Sequence, residues 1–68
     1  MLDRNSIKRN SILRHLEMLE MMRSRHQMWA TEGPDSEIMQ THYDIIDLIE
    51  QTSNKYDELL KLYGSKGE

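Results

Sequence analysis

The chain has no cysteine, no phenylalanine, one proline and three glycines in 68 residues. Without cysteine no disulfide can reinforce a thin core, and no thiolate can hold zinc. A chain of this length forms one domain at most and buries only about 60% of the surface that its unfolded form exposes. Long apolar runs are missing too. Stretches such as Ile45-Ile46 fall far short of the ~20 residues of a membrane span. The opening MLDRNSIKRN carries no apolar signal-peptide stretch. These absences lead to the expectation of a cytoplasmic protein without a membrane segment. The catalytic motifs are also lacking. There is no GxSxG, P-loop, HExxH or Glu-x-x-His. The reading is accordingly non-enzymatic, with no catalytic residue, cofactor or metal.

What is present is charge, at 31% of residues, unevenly placed. Residues 1–34 hold six basic side chains against four acidic ones, a balance of +2. Residues 35–68 hold three against eight, a balance of −5. Opposite signs favour laying one half against the other, or against its counterpart in a second copy. Arg4, Lys8, Arg9 and Arg14 could meet phosphates, but the chain as a whole is acidic, with a pI near 5.5, and nucleic-acid binding is disfavoured.

The second half carries the clearest pattern. Ile38, His42, Ile45, Ile49, Thr52, Tyr56, Leu59 and Tyr63 are spaced alternately four and three apart, a heptad seam. Asp35 is placed to cap this helix, Glu37 puts negative charge in its first turn, and Gly64 reads as a C′ stop. In the first half Ile12, Leu16, Leu19 and Ala30 share one line, with Met18, Met22 and Trp29 beside it. Asn5 or Ser6 is the expected cap there. The reading is all-α: flexible residues 1–5, helix 1 over about 6–30, a turn at 31–35, helix 2 over about 36–63, and flexible residues 64–68. The short turn makes the pair an antiparallel hairpin. The expected register sets Leu19 against Ile45 and Ile49, Ile12 against Tyr56, and His26 near His42.

A two-helix hairpin cannot cover so long a stripe alone, so dimerisation into a four-helix bundle is expected. Its seam would consist of Leu16, Leu19, Ile45, Ile49, Tyr56 and Leu59. Leu13, Met21 and Met28 lie off the main stripe, and Met is suited to adaptable contacts. With Trp29 they are the candidate interface to a protein partner. His26 and His42 invite a metal reading, but their spacing favours a role in packing or register.

The layout resembles two groups of small helical hairpins. One is the family of aspartyl-phosphate phosphatases that act on sporulation response regulators, whose second helix carries a SQELD motif. The corresponding stretch here is Tyr43-Asp44-Ile45-Ile46-Asp47, matching in its final apolar-Asp step, and the resemblance implies Asp47 as the active carboxylate. The other group is the hairpin co-chaperones of type III secretion needle subunits, similar in length and in the Gly/Asp turn. The main expectation remains a small regulatory or adaptor protein that acts through helix-mediated contacts, as a homodimer.

Overall fold

The structure, a computed structural model, describes residues 4–66; the flexible ends read for residues 1–3 and 67–68 lie outside the described residues. Two helices account for nearly all of it: α1 (Arg4–Ala30) and α2 (Ser36–Lys66), with no strand among the described residues. They lie side by side as a hairpin measuring 52 × 19 × 10 Å.

The turn is built from local hydrogen bonds. At the end of α1, the Thr31 amide and hydroxyl both donate to the Met28 carbonyl, at 3.1 and 2.9 Å, and the Glu32 amide donates to the Trp29 carbonyl at 3.2 Å. These i→i−3 bonds satisfy carbonyls that the helix leaves open. Asp35 then caps α2: its Oδ1 accepts from the amides of Glu37 at 2.9 Å and Ile38 at 3.0 Å.

The helix ends differ from the expected ones in two places. Helix α1 begins at Arg4, so Asn5 and Ser6 lie within its first turn and neither precedes it as a cap. Helix α2 runs through Gly64 to Lys66. Gly64 does not adopt the left-handed conformation that a C′ glycine would need, and a Cβ built on it would meet nothing within 4 Å. A single glycine costs a helix only about 1 kcal/mol relative to alanine, too little to force a stop.

The buried core is small: Ile12, Ala30, Ile46 and Ile49. On α1 the inward line is Ile12, Leu16, Leu19, Arg23, His26 and Ala30, the expected stripe completed by two polar residues. On α2 it is His42, Ile46, Ile49, Ser53, Tyr56, Leu60 and Tyr63. The pattern had pointed to Ile45, Thr52 and Leu59 at the intervening steps. The helix instead presents Ile46, Ser53 and Leu60, a rotation of about 40°. Leu59 and Ile38 are consequently exposed, and Ile45 lies half-buried at the edge.

Two stability predictions follow from these elements. Asp35→Ala should cost about 1 kcal/mol, read as a lower midpoint in urea followed by far-UV CD. Gly64→Ala should act in the opposite direction by about 0.5–1 kcal/mol, because the position is helical and open.

Candidate protein-interaction face

Each helix carries a second heptad line next to the one it buries. On α1 it runs through Ser11, His15, Met18, Met22, Arg25 and Trp29; on α2, through Ile38, Thr41, Ile45, Leu48, Thr52, Lys55, Leu59 and Leu62. Each line is displaced from its seam by about 90–100° of helix arc. Because the helices are antiparallel, the two displacements carry both lines to the same broad side of the hairpin. A shallow depression on that side, lined by His15, Met18, Leu19, Met22, Thr52 and Tyr56, contains residues of both helices.

The polar groups on this side are largely spoken for. The Thr41 hydroxyl donates to the Glu37 carbonyl at 2.8 Å, and the Thr52 hydroxyl to the Leu48 carbonyl at 2.9 Å. Covering these two hydroxyls with another protein surface would leave neither without a partner. The His15 ring lies against Tyr56, with centroids 5.5 Å apart. Tyr56 thus meets a residue one turn further along α1 than Ile12, its expected neighbour.

Near the turn three rings cluster. His26 and His42 approach to 2.9 Å between their Nδ1 atoms, the juxtaposition that the register predicted. Such a bond requires one ring to donate a proton and the other to accept it. Trp29 packs edge-on to His26, with centroids at 5.2 Å, and lies 6.1 Å from His42. Among the described residues no group of three or more His, Cys, Asp or Glu side chains is arranged to hold a metal ion.

The expected interface residues do not form one patch. Leu13, Met21, Met28 and Trp29 are all exposed. Met21 and Met28 project from the back of α1, away from α2, and Leu13 lies on the flank opposite Trp29. Trp29 instead belongs to the apolar side, with Met18 and Met22. Of the expected bundle seam, Leu16, Leu19, Ile45 and Tyr56 are half-buried, Ile49 is buried, and Leu59 lies on the apolar side. His15 was missed because a lone histidine between apolar positions carries no distinctive spacing. Asp47 is exposed on α2.

Charge on the hairpin is local. Arg23, in the inward line of α1, reaches back to Glu20 in a two-point ion pair. The hydrogen bond from Arg23 holds the Glu20 carboxyl below its ordinary range, and Glu20 raises the Arg23 guanidinium in turn. A lowered carboxyl contributes stability above its unfolded value and loses it as the pH falls through the folded one. Both groups are solvated, so the effect is minor. Lys55 pairs with Glu58 at 3.2 Å, and Gln40 donates to Asp44 at 3.0 Å.

No family model, curated protein or solved structure matches the chain. Among the described residues no helix is long and apolar enough to cross a membrane.

The histidine pair yields a direct test. His26→Ala and His42→Ala should each lower stability by about 1 kcal/mol, and the double variant by less than their sum. A coupling of about 0.5–1.5 kcal/mol in urea unfolding would measure the bond, and additivity would show that it contributes nothing.

Proposed function

We propose that this chain is a small non-enzymatic adaptor or regulator, a homodimer that binds a protein partner through helix faces. One observation carries the reading. Thirteen large apolar side chains are exposed among the described residues, against four buried apolar residues. The chain presents 5548 Å² to solvent, where a compact monomer of 8.1 kDa presents about 4,500 Å². An excess of about 1,000 Å² per chain is on the scale of one side of a stable protein interface, about 800 Å². Exposed apolar residues gathered on one side, unlike ones scattered singly, mark interaction surfaces.

The two sets of exposed residues suit two tasks. The broad apolar side, with Met18, Met22, Trp29, Leu48 and Leu59, draws on both helices and suits the four-helix bundle. Leu13, Met21 and Met28 remain outside it and suit the partner, since flexible thioethers adapt to a second surface. Helix-in-groove recognition reads such residues at three- and four-residue spacings.

Light scattering over a concentration series should give a mass near twice 8.1 kDa, with helical CD growing as dimer forms. Trp29, the one tryptophan, should shift its emission to the blue over the same range as it leaves water. A mass of 8.1 kDa at every concentration would remove the homodimer. For the second task, Met21→Asp combined with Met28→Asp should abolish partner capture while mass and CD stay unchanged. Loss of the CD signal would place these residues in the core and end the partner assignment.

A further inference from the structure

A homodimer on the apolar side can be built in two ways when the hairpins overlap fully. With the two-fold axis along the helices, α1 of one copy lies over α2 of the other, and both turns sit at the same end. With the axis across the helices, α1 lies over α1 and α2 over α2, and the turns sit at opposite ends. Apolar burial is similar in the two, so it does not choose between them.

The charges bordering the face do. The α1 border carries Arg4, Arg14 and Arg25, and the α2 border carries Glu37, Asp44 and Glu58 with one cation, Lys55. At a rise of ~1.5 Å per residue, stacking like helices sets Asp44 near Glu58 of the second copy and Arg25 within about one turn of Arg14. The one gain is Lys55 near Asp47. Stacking unlike helices sets Arg25 level with Asp44 of the second copy, and Arg14 near Glu58. The one conflict is Arg14 near Lys55, and the ammonium of Lys55 is already held by Glu58 at 3.2 Å. Exposed ion pairs add little affinity, but like charges placed opposite one another suppress the wrong arrangement. Charges flanking an apolar seam set partner choice and orientation in the same way in helical bundles.

We therefore propose that the occupant of the apolar side is a second copy of this chain, docked with its two-fold axis along the helices, so that each α1 covers the partner copy's α2 and both turns share one end. This rests on the homodimer proposed above and adds the arrangement.

The chain has no cysteine, so Glu32→Cys, in the exposed turn, provides a single labelling site. Nitroxide labels there should lie about 15–25 Å apart in the proposed dimer, given interhelical spacings of about 10 Å plus the label arms. In the alternative dimer they would lie near the opposite ends of a 52 Å rod, at about 40 Å or more. The pair distance is read by double electron–electron resonance at a concentration where light scattering shows dimer. A dimeric mass with the short distance supports the arrangement. A dimeric mass with the long distance overturns the arrangement and leaves the homodimer standing. A monomeric mass overturns both, and the apolar side then belongs to a different protein. As a second readout, Arg25→Glu should raise the dimer dissociation constant about three- to tenfold, and adding Asp44→Arg in the same chain should restore most of it. A dissociation constant unmoved by Arg25→Glu would mean that the border charges do not orient the dimer.

Discussion

A helix paired with one neighbour can shield only the strip that faces it, and in a hairpin this limit applies to both members at once. Each helix here has more apolar surface than one strip can hold. The strips that meet carry Ile12, Leu16, Leu19 and Ala30 on one side and Ile46, Ile49, Tyr56 and Leu60 on the other. Next to each runs a second apolar line, and antiparallel packing brings the two second lines to one side of the molecule. The unfilled requirement is a single broad face, which is the form that another protein surface can cover.

The hairpin strip is itself a compromise. Arg23, His26, His42 and Ser53 interrupt it, so that burial is shallow and only Ile12, Ala30, Ile46 and Ile49 are well shielded. The polar members are accommodated by partners close at hand: Arg23 turns back to Glu20, and the two imidazoles bond to each other. A histidine pair spans the two helices at the turn end of the hairpin, with Trp29 against it. Polar seam residues of this kind trade core stability for a single alignment.

The two faces of α1 divide the exposed side chains by direction. Trp29, Met18 and Met22 lie on the side that also carries the apolar line of α2, whereas Met21 and Met28 point away from that helix. A dimer that covers the first set leaves the second in water, so self-association and capture of a partner need not compete. The charge division between the halves, +2 against −5, has its structural counterpart in the basic border of α1 and the acidic border of α2.

Much of this was legible in the sequence, because local chemistry sets it. The two helices, the turn and the Asp35 cap depend on residues within a few positions of one another, and the pairing of His26 with His42 follows from the short turn between antiparallel helices. The strip that α2 buries was not legible. Two heptad lines lie side by side on that helix, and the expected pattern takes Ile45, Thr52 and Leu59 from one and Ile49, Tyr56 and Tyr63 from the other; only packing against α1 selects Ile46, Ser53 and Leu60. The same rotation exposes Leu59. Gly64 reads as a stop in isolation, yet the helix continues past it, since the cost of one glycine is small. Sequence periodicity therefore determined that two amphipathic helices would form a hairpin with apolar surface to spare. The tertiary structure decided on which side that surface gathers, because the facing of a helix depends on what its neighbour can accept.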